Sequence, residues 1–149
     1  MSEAPQTRFG IQRIYIKNSS FEAPNSPDVF RTQWQPKMKI DLNTKAKPLG
    51  DDAFEVVLRL TVTANLEEKV AFLAEIEQAA IVTVAGFETE QQNQMLGAYI
   101  PSVLFPYARE AIDGMVVKGS FPAVMLAPVN FDVLYQQNQQ KNAEATTAH

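Results

Sequence analysis

FEVVLRLTVTANL (54–66) and VAFLAEIEQAAIVTVAGF (70–87), joined by a polar turn at 65–69, decide how this chain folds. In the first, Phe54, Val56, Leu58, Leu60 and Val62 alternate with Glu55, Arg59, Thr61 and Thr63, and only Val57 breaks the pattern. In the second, Val70, Phe72, Ala74 and Ile76 form one row, and Ala71, Leu73, Glu75 and Glu77 the other. Period-2 patterning puts one row on a buried face and the other in water, so both segments read as half-buried strands. Leu73 is then an apolar residue on an otherwise acidic face.

Upstream, WQPKMKIDL (34–42) alternates Trp34, Pro36, Met38, Ile40 and Leu42 with Gln35, Lys37, Lys39 and Asp41. Pro36 cannot donate to a ladder, which puts that end at an edge or in irregular structure. The first strand, FGIQRIYIKNSSFEA (9–23), is less regular: its alternation slips between Arg13 and Ile14, as at a bulge or in a two-sided environment such as a subunit interface. With Pro24 and Pro27, EAPNSPDVF (22–30) reads as a long crossing loop and not a hairpin.

Helices follow the strands. GFETEQQNQML (86–96) suits a short helix, and PSVLFPYAREAIDGMVVKG (101–119) a longer one that starts at Pro101 and kinks at Pro106. KGSFPAVMLAPV (118–129) is an unusually apolar loop, after which Asn130 suits an N-cap, with Phe131, Leu134 and Tyr135 on one stripe. Four strands in succession, read as a meander, followed by segregated helices, give an α+β fold: a four-stranded antiparallel sheet with helices packed on one face. The expected organisation is a flexible tail over 1–8, one domain over 9–138, and a flexible polar tail over 139–149.

A length of 149 residues suits one domain that buries its own core. Charged residues make up 20% of the chain, below the roughly 25% usual for soluble proteins, while apolar residues reach 46%, which leaves apolar surface for a partner. Net charge is +4 over 1–50, −7 over 51–100 and −1 over 101–149. An acidic middle argues against nucleic acid and suits a basic protein partner. With no basic N-terminal region followed by an apolar stretch, and no run of about 18 apolar residues, neither a signal peptide nor membrane insertion is expected, and the chain reads as cytoplasmic.

Catalysis is poorly supplied. There is no cysteine, and the one histidine is His149 at the very end of the chain, so a nucleophile paired with a nitrogen base is missing. Asp51-Asp52 and Glu67-Glu68 sit where turns are expected, and the six glycines form no phosphate cradle. What remains is interaction chemistry. Trp34, Met38, Ile40 and Leu42 with Phe131, Leu134 and Tyr135, flanked by apolar loops at 24–33 and 119–129, either line a groove or form the core, and patterning alone favours the core. Met and aromatic side chains also suit a surface that accepts varied apolar partners. Leu73 with Glu75 and Glu77 is either a solvated face with one stray leucine or a docking patch.

IQRIY (11–15), SFEAPN (20–25), WQP (34–36), EVVLR (55–59), TVTA (61–64), LGAY (96–99), LFPYARE (104–110) and FPAVMLAPVNF (121–131), in that order, resemble the SecB family of bacterial export chaperones. The resemblance implies an ATP-independent holdase, not an enzyme, that keeps preproteins unfolded and passes them to the SecA motor. It implies a homotetramer, a dimer of dimers, with first strands paired across each dimer and long helices sandwiched between sheets. It also implies a client groove at Trp34, Met38, Ile40, Leu42, Phe54, Phe131, Leu134 and Tyr135, and a SecA-binding face at Asn18, Glu22, Leu73 and Glu75. Asn18 departs from the family pattern, which favours a carboxylate there. No cofactor is implied, and zinc belongs to the SecA tail. Other readings are a small-molecule-binding domain or enzyme using the same apolar cavity, and a SecB-like chaperone dedicated to a toxin–antitoxin pair.

Overall fold

The computed structural model describes the backbone of residues 6–147 and the side-chain surroundings of residues up to 141. His149 lies outside the described residues. Strands β1 (Arg8–Glu22), β2 (Lys37–Gly50), β3 (Ala53–Leu66) and β4 (Lys69–Ala85) form one antiparallel sheet in the order β1-β4-β3-β2. The meander expected of all four strands holds only for β2 to β4. The loop after β1 carries the chain across the sheet, and β1 pairs with β4, which gives a Greek-key order. A short 3-10 turn at Asp28–Arg31 sits in that loop and buries Val29, and Asn25 Nδ2 donates to the Val70 carbonyl at 2.8 Å.

Tight turns join the hairpins. Asp51 and Asp52 adopt positive φ (54° and 63°), a conformation in which Asp is among the better tolerated residues. Asp52 also meets Arg8 at 3.1 Å, so this acidic pair closes a turn, as its position suggested.

Residues paired across a rung share a face. Ile40, Val62 and Ala74 point one way, as do Leu42, Leu60 and Ile76. That face carries the helices. β1 keeps its apolar residues on it by skipping twice, at Gln12 and at Lys17, so that Ile11, Ile14, Ile16 and Phe21 all point toward the helices. The irregularity read at Arg13–Ile14 is thus two bulges, one on either side of it.

Helix α1 (Thr89–Gln94), a π-helical turn (Met95–Tyr99) and α2 (Ile100–Lys118) form one continuous helical run. Pro101 is therefore not a free helix start. It falls at the join, where the Ile100 N–H reaches back five residues to the Met95 carbonyl. A widened turn relieves the crowding that a proline ring imposes on the preceding turn. Beyond it, α2 runs unbroken through Pro106 and is capped at Gly119, where the expected segment ends. Ile100, Leu104, Ala108, Ile112 and Val116, four residues apart, form its buried stripe on β4 and β3. Each fully buried aliphatic side chain contributes about 1.5–3 kcal/mol.

The loop after α2 is held by Asp113, whose Oδ1 accepts from the Val124 and Met125 N–H groups at 2.9 and 3.3 Å. Helix α3 (Phe131–Thr147) follows, and it extends past the domain boundary expected at 138. Asn130 caps it as expected, its Oδ1 accepting from the Val133 N–H at 3.1 Å. No helix of the described residues is long and apolar enough to cross a membrane.

Candidate binding groove and outer sheet face

α2 covers β3 and β4 but leaves β2 out. On the rung Ile40–Val62–Ala74 the two inner residues are fully buried, while Ile40 is 46% exposed. Opposite β2 stands α3, anchored at its base by Phe131, which meets Phe105 edge-on at 5.8 Å. α3 comes close because position 97 is a glycine: a Cβ there would lie 2.7 Å from the ring of Tyr135.

The result is a cleft of about 620 Å³ between β2 and α3. Ile40, Leu42, Thr44 and Ala46 form one wall, Leu96 and Gly97 the floor, and Phe131, Leu134 and Tyr135 the other wall. Asn43, Asn138 and Gln139 add polar groups, and among the described residues no Asp, Glu, Lys or Arg lines it. A cleft of this kind can desolvate apolar side chains but supplies no carboxylate or amine for acid–base catalysis. Among the described residues, no group of three or more His, Cys, Asp and Glu is placed to hold a metal.

Of the eight groove positions expected from sequence, the cleft brings together Ile40, Leu42, Phe131, Leu134 and Tyr135. Met38 continues the same row one rung further and is 38% exposed. Its rung, Met38–Ala64–Phe72, leads to an aromatic cluster in which Trp34 lies 6.3 Å from Phe72 and 5.4 Å from Phe121. Trp34 thus packs against the core and not in the cleft. Phe54 lies beyond the opposite end of the cleft, on the rung Pro48–Phe54–Val82, also packed on the core. Thr44, Ala46, Leu96 and Gly97 were missed. Continuing the β2 alternation past Leu42 gives the first two, whereas no local pattern marks the helical pair as a floor.

The other sheet face carries no helix. Asn18, Glu22, Leu73 and Glu75 all fall there, at one end, on the rungs Glu22–Leu73–Thr63, Ser20–Glu75–Thr61 and Asn18–Glu77–Arg59. Thr61 donates to Glu75 at 3.0 Å, and Arg59 is shared between Glu75 (3.6 Å) and Glu77 (3.3 Å). One arginine among Glu22, Glu75 and Glu77 leaves the patch acidic around a half-buried Leu73.

Toward the other end of this face, on the rung Lys47–Glu55–Ile81, Glu55 is almost wholly covered. It accepts from Tyr15 Oη and from Lys17 Nζ (2.8 Å), with Lys47 at 3.9 Å. The Lys17 hydrogen bond, then the Tyr15 one, hold its carboxyl below the ordinary value of 4.5, against the opposing effect of burial. Burial first, then the bond to Glu55 and its charge, push the Tyr15 hydroxyl up to about 12. Along the sheet edge, the outer row of β2 is strongly basic: Lys37, Lys39, Lys45 and Lys47, interrupted by Asp41 and Asn43.

Comparison with known proteins adds identity to this geometry. Residues 2–142 match the family described as preprotein translocase subunit SecB. The chain is 57% identical over 139 residues to the protein-export protein SecB of Marinobacter nauticus, covering 93% of this chain and 84% of that protein. It is 55% identical over 138 residues to that of Pseudomonas syringae pv. tomato, with the same coverage. To that of Stutzerimonas stutzeri it is 52% identical over 146 residues, covering 95% and 89%. A solved SecB-like chaperone from Mycobacterium tuberculosis, in complex with a peptide from an antitoxin, shares the fold at a TM-score of 0.62 and 17% identity, covering 82% of this chain and 88% of that one.

Proposed function

The chain belongs to the SecB family and is a chaperone for protein export, and on that premise we propose that the cleft between β2 and α3 is where it holds unfolded preproteins. The carrying observation is an open cleft with apolar walls at Ile40, Leu42, Phe131, Leu134 and Tyr135 and a polar rim, whose β2 side, Ile40 above all, stays exposed beside fully buried neighbours. A folded protein hides its apolar side chains, so such a cleft selects unfolded chains by mass action and needs no ATP. In this reading the chain is a cytoplasmic holdase without enzymatic activity, whose clients pass to SecA.

The acidic patch around Leu73 suits a basic partner such as the SecA tail, with Glu77 supplying negative charge beside Asn18. Assembly as a dimer of dimers is supported by apolar side chains left exposed on β1 (Phe9, Ile11, Ile16), on the π turn (Tyr99) and on α2 (Tyr107, Val117). Single exposed apolar residues are ordinary, whereas a group of them, with Phe9 and Tyr99 meeting edge-on at 5.7 Å, favours a subunit interface.

The test is refolding of a slowly folding preprotein with and without the chaperone. Stoichiometric tetramer delays refolding, and the folded mature form does not bind. Absence of delay overturns the proposal.

A further inference from the structure

The outer sheet face changes sign along its length. At one end lies the acidic patch around Leu73, and at the other Val57, the residue that breaks the alternation of β3, sits half-buried near Ile81, also half-buried. They occupy adjacent rungs, Lys45–Val57–Ala79–Tyr15 and Lys47–Glu55–Ile81–Arg13. Arg13, Lys17, Lys45 and Lys47 stand around this apolar pair, and all four are exposed. The carboxylate among them, Glu55, is covered and already held by Lys17 at 2.8 Å, with Lys47 at 3.9 Å. Among the described residues, Arg13 and Lys45 have no carboxylate within 4.0 Å. Two shallow hollows of about 350 and 180 Å³ adjoin at Lys17, Lys45 and Val57. The Arg59–Glu77 pair separates this basic end from the acidic one.

We infer that the outer face takes one extended partner segment of two polarities: basic over Leu73 and, further along, an apolar residue flanked by carboxylates over Val57 and Ile81. This rests on the reading of the acidic patch as a docking face for a basic partner. Along β3, Val57 lies six residues from Thr63, which shares the rung of Leu73, and at 3.3 Å per residue that is about 20 Å. About six residues of extended chain cover it. Once the basic stretch is docked, the second contact is intramolecular, so even a weak one adds to affinity. The apolar pair favours a peptide over a polyphosphate, which has no apolar group to cover it. Glu22, Glu75 and Glu77 on the same face repel an anionic bilayer laid across it. Lys37 and Lys39 stand at the β2 edge of the acidic end with Asp41 beside them, two strands from Leu73, and leave its surroundings to the carboxylates. The client cleft lies on the opposite face, so the polarity belongs to the docking partner and not to clients.

The test uses three labelled peptides that share a run of lysines, bound to the full chain and followed by fluorescence anisotropy. Two carry a Gly-Ser spacer of about six residues and end in Glu-Leu-Glu or Ser-Leu-Ser; the third ends in Glu-Leu-Glu after a single glycine. At low salt the long Glu peptide binds about fivefold tighter than the Ser peptide, and the gap closes near 0.5 M salt, as for exposed ion pairs. The short Glu peptide lacks the advantage. Lys45→Ser/Lys47→Ser removes the gap, while the Ser peptide and an unfolded client keep their Kd within about twofold. Leu73→Gln/Glu75→Lys weakens all three peptides. If that variant weakens all three but the two long peptides bind alike in the unaltered chain, or the short peptide keeps the advantage, the two-polarity inference is overturned and the docking reading of the acidic patch stands. If the variant weakens none, the docking reading falls and takes the inference with it. Capture of phosphatidylglycerol vesicles or polyphosphate that Lys45→Ser/Lys47→Ser abolishes, with no difference between the long peptides, assigns the basic end to a polyanion and overturns the inference.

Discussion

Gly97 sets the width of the cleft, because the Tyr135 ring rests where its side chain would be. Gly97→Ala removes a helix-disfavouring residue, which by itself stabilises by roughly 0.5–1 kcal/mol, yet its methyl group displaces Tyr135. The expected outcome is a folded protein with an unchanged far-UV spectrum whose Kd for an unfolded client rises on the order of tenfold, measured by titration calorimetry. Glu55 gives a different kind of test. Its carboxyl titrates lower when folded than when unfolded, so the stability it contributes is complete above about pH 4.5 and is lost as pH falls through the lowered folded value. Tyr15 is shifted upward, so its contribution is complete below pH 10 and is lost as pH rises toward about 12. Urea unfolding across pH shows both limbs. Glu55→Gln flattens the acid limb, and Tyr15→Phe removes the alkaline one. Sequence showed Glu55 only as a polar residue on an outer row; its three partners come from two other strands, 8 to 40 positions away.

At the scale of elements, strands were legible wherever alternation was strict. β3 runs as its pattern dictates and β4 does so from Phe72 onward; before it, a bulge at Ala71 pairs Val70 with the outward Asn65 and buries Ala71, which the alternation assigned to the outer row, and the exceptions in β1 have the same mechanical cause: each bulge at Gln12 and Lys17 shifts the inward parity by one. The π turn was not legible, since nothing in MLGAY announces a fifth residue in the turn, and the proline after it suggested a helix start instead. That substitution of join for start explains why two predicted helices are one run. Pro106 lies mid-helix on the exposed side of the helical run, on one stripe with the exposed Tyr99 and Val117 and beside Tyr107. Pro106→Ala supplies the N–H that the Ser102 carbonyl lacks and strengthens the subunit helix. Its expected effect falls on the proposed assembly: sedimentation velocity shows a changed dimer–tetramer balance, while the melting temperature changes by no more than a degree or two.

For the whole molecule, the fold class was readable from the order of strand and helix patterns, but the sheet order was not, because alternation says which face a residue takes and not which strand lies beside it. The same limit separated the groove residues. Trp34 and Ile40 share one row in sequence, yet only the covering loops decide that Trp34 is packed and Ile40 open. Having two faces allows two functions to be separated by mutation. Leu73→Gln with Glu75→Lys is expected to weaken SecA binding at least tenfold in a pull-down titration and to leave the client Kd within about twofold, since the cleft lies on the opposite side of the sheet. The Greek-key order bears on how the protein is made. β1 leaves the ribosome roughly 60 residues before Ala85 completes the strand it pairs with, an interval of about 3–12 s at ordinary rates of synthesis. Until then Phe9, Ile11, Ile14 and Phe21 have no sheet to lie on. A protein that shelters unfinished chains therefore passes through the same exposed condition itself, with its own first strand waiting on its fourth.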